Sequence, residues 1–142
     1  MRFEIPDDKK LVHQMVMPIR WGDMDAMGHV NNAVYFSYME SARVGWLESL
    51  QANSGTGSSG QGPVVVNAFC NFERQLAYPG DLRIRLYVGE VGRSSFETWV
   101  TIERQDEAGV PCARGGATTV WIDTAAGKST ALPSWLRKAL AA

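Results

Sequence analysis

The spacing of hydrophobic positions changes along the chain, and these changes predict its first elements. In the segment after Leu11, Met15, Met17, Ile19 and Trp21 occupy every second position, which is the spacing of a half-buried strand. Residues 33–50 then place apolar side chains at helical spacing and contain no proline. The pattern therefore predicts one strand followed by a long helix, and Asn31 or Asn32 is suited to cap its first turn.

Apolar side chains occupy both sides of this predicted helix. One side carries Tyr35, Tyr38, Met39, Ala42, Trp46 and Leu50, and the opposite side carries Val34, Phe36, Val44 and Leu47. We therefore expect the helix to be buried on most sides. A glycine inside a helix lowers its stability by about 1 kcal/mol relative to alanine. We expect a neighbouring element to pack closely against Gly45 for that reason.

From Pro63 onward the hydrophobic period is two. It predicts four further strands, over residues 63–72, 82–88, 96–102 and 118–122, and a short helix in the C-terminal LPSWLRKALA. Short turns between these strands require antiparallel pairing. The predicted fold class is α+β, a five-stranded antiparallel sheet wrapped around one long buried helix. Pro18 lacks an N–H, so we expect the first strand at a sheet edge or the proline at a bulge.

Length and composition bound the organisation of the chain. The 142 residues match a common domain size, so we predict a single domain over residues 1–142. Within it, the Gly/Ser-rich segment QANSGTGSSGQG at residues 51–62 has the composition of a flexible loop. With 45% hydrophobic and 20% charged residues, the composition is that of a folded globular protein.

Charge and cysteine content argue against several partner classes. A net charge of -1 and a pI near 6.1 provide no general attraction to nucleic acid or to a membrane surface, so neither is expected as a partner. The N-terminus lacks the pattern of a secretory signal, and a cytoplasmic location is expected. Cys70, Cys112, His13 and His29 do not follow a zinc-ligand spacing, and we expect neither a metal nor a cofactor.

The chemically dense segment runs from Arg20 to Tyr35, with the sequence RWGDMDAMGHVNNAVY. In a glycine-containing turn, Asp23 and Asp25 would ordinarily form the turn or place charge near a helix start. His29 would ordinarily be a hydrogen-bonding residue of the same turn. The residues alone leave these structural readings open beside a catalytic one.

The segment resembles the signature of the hotdog-fold thioesterases, specifically the 4-hydroxybenzoyl-CoA thioesterase-like family. Gly22–Val30 matches that family's G-D-x-D-x-x-G-x-V turn, Asn32–Tyr35 its N-x-x-Y step and Glu40–Arg43 its E-x-A-R segment. Residues 64–88 and the turn at residues 92–95 also resemble the family's central strands and turn. The likeness covers most of the chain.

This resemblance implies an acyl-CoA thioesterase that releases a free acid and CoA. It places Asp25 at the position of the catalytic carboxylate, gives the backbone N–H of Asn32 the thioester carbonyl oxygen, and makes His29 a further catalytic candidate. The substrate-binding candidates are Gly28, Tyr35, Arg93, Ser94 and Ser95. The family resemblance also implies a homodimer or homotetramer with the site between subunits.

Elementary chemistry agrees with a site that has one carboxylate. Unpaired N–H groups at a helix N-terminus present about half a positive charge to a developing oxyanion. A thiol with a pKa of roughly 8.5 departs as thiolate without a strong general acid. Asp25 either attacks the carbonyl carbon or acts as general base on water, and the sequence does not choose between these roles.

Two other functions fit the same chain less well. A non-catalytic acyl-binding module would not need Asp25, and a hydratase would need a histidine paired with an acid, whereas only His29 lies near the turn. A thioester of acyl carrier protein is an alternative substrate to acyl-CoA. The acyl group itself is not readable from periodicity.

Overall fold

A computed structural model describes residues 3–54 and 60–141. The elements are β1 (Lys10–Pro18), α1 (Asn32–Ser54), β2 (Gln61–Phe72), β3 (Asp81–Val91), β4 (Ser95–Arg104), β5 (Pro111–Asp123), β6 (Lys128–Ser129) and α2 (Ser134–Ala141), with single 3₁₀ turns at Trp21–Asp23 and Gln105–Glu107. Among the described residues, neither helix is long and apolar enough to cross a membrane.

The strands form one antiparallel sheet in the order β1-β3-β4-β5-β2, and β6 pairs with the end of β5. The sheet curls around α1, which confirms the predicted α+β class. The two-residue β6 is an addition to the five predicted strands, because two residues are too few to show a period. β1 and β2 are the edge strands, and Pro18 ends the edge strand β1, as its missing N–H predicts.

Two strand boundaries differ from the predicted ones. β1 ends at Pro18 and not near Trp21, because the chain turns there into a 3₁₀ segment held by the Asp23 carboxylate. β5 begins at Pro111, seven residues before the predicted start, because Gly115 and its neighbour interrupt the apolar alternation. A side chain at Gly115 would collide with the Phe69 carbonyl oxygen of β2, so glycine lets these strands pair closely.

The core lies between the concave face of the sheet and one side of α1. Its members include Tyr35, Tyr38, Met39, Ala42 and Trp46 from α1 and Leu82, Ile84, Leu86, Val100, Ile102 and Trp121 from the sheet. A Cβ added at Gly45 would lie 3.3 Å from His13 Nε2 of β1. β1 is therefore the element that packs closely against Gly45, as expected from a glycine inside a helix. The opposite side of α1 is uncovered within one chain, where Val44 is 45% exposed.

The segment predicted as a flexible loop over residues 51–62 is shorter in the structure. α1 continues to Ser54, since no glycine or proline precedes Gly55 in this part of the chain. β2 already begins at Gln61, which pairs with Asp123 of β5. The centre of the predicted loop, residues 55–59, lies outside the described residues.

Candidate active site

A tight turn between β1 and α1 presents Asp25. Met24 and Val30 form an isolated antiparallel bridge, and the Asp25 N–H donates to the His29 carbonyl at 2.9 Å. The Gly28 N–H closes the turn onto the Asp25 carbonyl at 3.1 Å. Gly28 has φ +81°, a backbone conformation that residues other than glycine rarely adopt, so this turn requires glycine here.

The Asp25 side chain is exposed, and one of its oxygens stiffens the same turn. Oδ1 accepts the Met27 N–H at 2.9 Å. Oδ2 accepts no hydrogen bond from the described part of the chain. The carboxylate is therefore held in orientation through one oxygen and offers the other to a bound molecule.

The start of α1 leaves a backbone donor free beside this carboxylate. Asn31 is the N-cap, because its Oδ1 accepts the Ala33 N–H at 2.8 Å, which decides between the two asparagines. Within residues 3–54 and 60–141, no acceptor takes the Asn32 N–H. That group lies at the positive end of the helix dipole, where unpartnered N–H groups favour an anion.

Asp23 holds the turn and the helix together. Its buried Oδ2 accepts the Tyr38 hydroxyl at 2.8 Å and the Arg20 N–H at 3.0 Å. Its own carbonyl accepts the Asn31 N–H at 3.0 Å, one residue before the helix begins. The structural reading of Asp23, as a carboxylate that fixes the turn through backbone N–H groups, is confirmed.

We expect Asp23→Asn to lower the free energy of unfolding by about 2 kcal/mol at pH 7. Burial alone would raise the pKa of Asp23, but the hydrogen bonds from Arg20 and Tyr38 and the Arg20 charge hold it below its usual value. Because the folded pKa is lowered, this stabilisation is full above about pH 5 and is lost as the pH falls through the folded pKa. Urea unfolding of the wild type and Asp23→Asn at pH 7 and pH 3 measures the difference in their free energies of unfolding and its loss at low pH.

The exposed Asp8→Asn is the matched control for this stability prediction. It removes the same charge without removing a hydrogen bond, so its unfolding curve should follow that of the wild type. An Asp23→Asn variant as stable as Asp8→Asn at pH 7 would contradict the anchoring role.

A cavity of about 340 Å³ brings four of the eight predicted site residues together. We name it the carboxylate cavity; it is lined by Asp25, Met27, His29, Val30, Asn32, Tyr35, Phe72, Glu73, Arg74 and Gln75. Asp25, His29, Asn32 and Tyr35 were all predicted from sequence. The buried Tyr35 ring packs edge-on against Phe72, with centroids 5.0 Å apart. Burial raises the pKa of Tyr35 to about 12, so its hydroxyl stays neutral and the residue forms a wall.

The sequence did not identify the residues that follow β2 as part of this cavity. Phe72 ends the strand, and Glu73, Arg74 and Gln75 continue along the rim. Glu73 is held by the Arg114 guanidinium at 2.6 Å, and Arg74 lies 3.6 Å from Glu107. The only sequence signal was a polar run at the end of an apolar strand, which does not reveal what the strand end faces.

Arg93, Ser94 and Ser95 lie at the other end of the sheet. Ser94 and Arg93 accept the Trp121 and Leu132 N–H groups through their carbonyl oxygens, and the Arg93 side chain is exposed. The strands that separate this turn from Asp25 span roughly 30 Å. Within one chain these three residues therefore do not line the carboxylate cavity.

A second cavity, of about 280 Å³, lies beside the middle of α1. We name it the helix cavity; it is lined by Glu40, Arg43, Val44, Trp46, Leu47, Pro63, Val65, Phe96, Thr98 and Thr119. Glu40 is two turns along α1 from Asn32, about 12 Å at 1.5 Å per residue. The helix cavity and the carboxylate cavity are therefore separate within one chain.

The family model of the thioesterase-like superfamily matches residues 19–140, which include the Asp25 turn, α1 and all the strands after it. The chain belongs to this superfamily. The resemblance to hotdog-fold thioesterases drawn from the Gly22–Val30 turn is thereby confirmed.

Individual proteins are also similar to this chain. The PA2801 protein of Pseudomonas aeruginosa, a proposed thioesterase, is 34% identical over 92% of this chain and 98% of its own, with a TM-score of 0.84. A proposed acyl-CoA thioesterase of Xanthomonas campestris is 36% identical over 87% of this chain and 100% of its own, with a TM-score of 0.75. The YsmA protein of Bacillus subtilis is 29% identical over 117 residues, 82% of this chain and 75% of its own.

Proposed function

We propose that this member of the thioesterase-like superfamily hydrolyses acyl-CoA thioesters. The proposal rests on one observation. A free carboxylate oxygen of Asp25 and the unpartnered N–H of Asn32 belong to residues that line the same cavity. Acyl transfer needs one group to attack, or to activate water, and one donor to hold the carbonyl oxygen. Family membership supports thioester chemistry at this site.

In the proposed reaction the thioester carbonyl oxygen accepts the Asn32 N–H. This donor is in place before reaction, and such a donor is typically worth about 2.7–4 kcal/mol of barrier. Asp25 either adds to the carbonyl carbon, giving an anhydride that water opens, or removes a proton from the attacking water. In both routes the C–S bond breaks, CoA leaves as thiolate and a carboxylic acid remains.

The neighbouring residues support these two groups. Gly28 shapes the turn that carries Asp25, and Tyr35 closes the apolar wall of the cavity. His29 lines the same cavity, and its carbonyl oxygen accepts the Asp25 N–H. Its imidazole is therefore a candidate to orient water near the reacting carbon. The Met27 side chain is 81% exposed at the cavity mouth, an unusual position for an apolar group unless it contacts a ligand or a partner.

The proposed working form is a homodimer paired through β2. This edge strand contains no charged residue, and Val64, Val65 and Val66 are 40%, 41% and 57% exposed. A long apolar edge with free backbone groups is a template for another strand unless it is covered. A second copy of β2, placed antiparallel about a two-fold axis, would cover it.

Antiparallel pairing of β2 strands would join the two cavities. The Phe72 end of one strand, which lines the carboxylate cavity, would meet the Pro63 end of the partner strand, which lines the helix cavity. The partner subunit's Arg93 turn lies at that same end of its sheet, since Ser95 of β4 pairs with Val120 of β5, which pairs with Val64. The separation of Arg93 from Asp25 within one chain therefore agrees with a site built by two subunits.

We expect Arg93→Ala to raise KM for acyl-CoA about 10-fold or more and to leave kcat nearly unchanged. The exposed guanidinium beside Ser94 and Ser95 suits the CoA phosphates, and contacts made equally in the ground and transition states affect only KM. The fold should survive, because Arg93 contacts the rest of the chain through its carbonyl oxygen. Steady-state thiol release measures both constants.

Arg83→Ala is the control, since Arg83 lies at the other end of the sheet from Arg93, paired with Val16 of β1. Its kinetics should match the wild type. Pantetheine thioesters, which lack the nucleotide, should be bound equally by the wild type and Arg93→Ala. A wild type that binds CoA and pantetheine thioesters equally would contradict the phosphate contact.

The proposed activity itself is tested with purified wild-type protein and a panel of short, long, branched and aromatic acyl-CoAs, followed by free thiol release. The same acyl groups on acyl carrier protein distinguish the carrier. Turnover of at least one acyl-CoA above the spontaneous rate supports the proposal. Binding of acyl-CoAs without thiol release would instead indicate a non-catalytic acyl-binding module.

A further inference from the structure

The helix cavity has two hydroxyl groups on its floor that lack hydrogen-bond partners. Thr98 of β4 is 1% exposed and Thr119 of β5 is 2% exposed, and neither side-chain oxygen is hydrogen-bonded within the described part of the chain. Buried polar groups in folded proteins are nearly always hydrogen-bonded. Two such groups in one cavity point to a molecule that binds there and supplies the missing partners.

The two hydroxyls can serve one bound atom together. Thr98 pairs with Ala117 across the β4–β5 ladder, and Thr119 pairs with Phe96, so the threonines are diagonal neighbours. Both lie on the face of the sheet that α1 covers, about 7 Å apart along the diagonal. Each hydroxyl can donate one hydrogen bond and accept two.

The rest of the cavity is apolar and has the size of a small organic group. Its floor and sides include Trp46, Leu47 and Phe96, while Val44 and Val65 lie at the exposed mouth. A cavity of about 150 Å³ holds benzene, so about 280 Å³ holds a ring with a linker or a medium-length chain. The cavity therefore fits an apolar group that carries one polar atom.

The charges of the cavity favour a neutral polar atom. Glu40 and Arg43 of α1 both line the cavity and carry opposite charges, with Glu40 exposed and Arg43 half-buried, while the polar side chains of the described floor residues are the two threonines. A carboxylate placed on that floor would lose its hydration while the Glu40 charge offsets the attraction of Arg43, which is unfavourable. A hydroxyl or ketone oxygen would satisfy Thr98 and Thr119 without that cost.

We propose that the helix cavity selects acyl groups that carry a hydroxyl or ketone oxygen, and that Thr98 and Thr119 recognise this oxygen. The inference rests on the proposed hydrolysis of acyl-CoA and adds the substrate class. In the β2-paired dimer, the acyl chain enters the partner subunit's helix cavity while its thioester remains at Asp25. Thr98 and Thr119 are specificity residues and do not touch the reacting bond.

The test compares matched acyl-CoAs of six to eight carbons and benzoyl-CoAs, each as the plain acyl group, as its hydroxyl isomers and as its oxo isomers. The wild type should hydrolyse at least one oxygen-bearing isomer with kcat/KM about 10-fold above that of its plain parent. Comparison of the hydroxyl and oxo series identifies which oxygen is preferred. The double variant Thr98→Val/Thr119→Val should abolish the preference and raise kcat/KM for the plain parent, because valine has the same shape without the unpaired hydroxyl.

A stability measurement shows whether a change in substrate preference could come from loss of the fold. Thr98→Val/Thr119→Val should unfold at a temperature equal to or above that of the wild type, because it removes two unsatisfied buried groups. Thr101→Val, on the opposite face of β4, is the control and should keep the wild-type preference. Plain and oxygen-bearing acyl-CoAs hydrolysed equally by the wild type and the double variant would overturn the inference alone. A wild type that hydrolyses no acyl-CoA would overturn the proposed function as well.

Discussion

Replacing Asp25 by asparagine is expected to lower kcat by about 100-fold or more, which is about 2.7 kcal/mol of lost transition-state stabilisation. The amide keeps the shape of the side chain, and its oxygen still accepts the Met27 N–H that the carboxylate accepts at 2.9 Å. What is lost is the charge on the oxygen that the turn leaves free. Thiol release under substrate saturation gives kcat, and circular dichroism confirms the unchanged fold.

Asp8→Asn is the matched control for Asp25→Asn, because it removes an exposed carboxylate outside both cavities. Its kcat should equal that of the wild type. If Asp25→Asn retains more than about a tenth of wild-type kcat on the best substrate, the loss is under ~1.4 kcal/mol and Asp25 is not the catalytic carboxylate. Oxygen-18 incorporation into Asp25 during a single turnover in labelled water separates the nucleophile from the general base.

The second large effect is expected at the exposed edge strand β2. Val64→Lys/Val66→Lys should convert a dimer into a monomer at micromolar concentration and reduce kcat/KM by about 100-fold or more. The two lysines would put charge on each strand edge against the apolar end of the partner strand, and charged side chains on a sheet edge oppose strand pairing. Light scattering gives the mass, and thiol release gives the activity.

Val16→Lys is the control on the opposite edge of the same sheet. Val16 lies in β1 and is 49% exposed, so it resembles the β2 valines in residue type, exposure and position on an edge strand. This variant should remain dimeric and active. A wild type that is monomeric and fully active would contradict the proposed dimer, and so would a Val64→Lys/Val66→Lys variant that is monomeric with unchanged kcat/KM.

Local patterns in the sequence were sufficient for most of the fold. The period of two over residues 82–88 and 96–102 gave strands β3 and β4 because one face of each strand is buried and the other is not. The helical spacing gave α1 because Tyr35, Tyr38 and Met39 face the sheet. Boundaries were less predictable where the backbone responds to a distant group, as at the glycine pair of β5 that makes room for β2 and α1.

The candidate site was predictable where its residues are close in sequence. Asp25 and His29 lie in one turn, and Asn32 is the first residue of the helix that follows it. The motif alone therefore placed the three residues together. Phe72–Gln75 reach the same cavity only through the pairing of β2 with β5, a contact between distant segments. Thr98 and Thr119 looked like ordinary strand residues, because only packing reveals that their hydroxyls are buried and unpaired.

The central claim of the account is that Asp25 of one subunit acts on an acyl group held in the partner subunit's helix cavity. Co-expression of two inactive variants, each with its own affinity tag, tests it most directly. One variant is Asp25→Asn. The other is Val44→Trp, which fills the mouth of the helix cavity at a side chain that is 45% exposed and therefore tolerates a larger residue.

In a mixed dimer, one of the two sites combines both defects and the other combines an intact Asp25 with an intact helix cavity. Random pairing makes half of the dimers mixed, so the co-expressed pool should recover about a quarter of wild-type activity, and dimers purified through both tags about half. Recovery no greater than the residual activity of the two parents would show that each chain carries its own complete site, and would contradict the account.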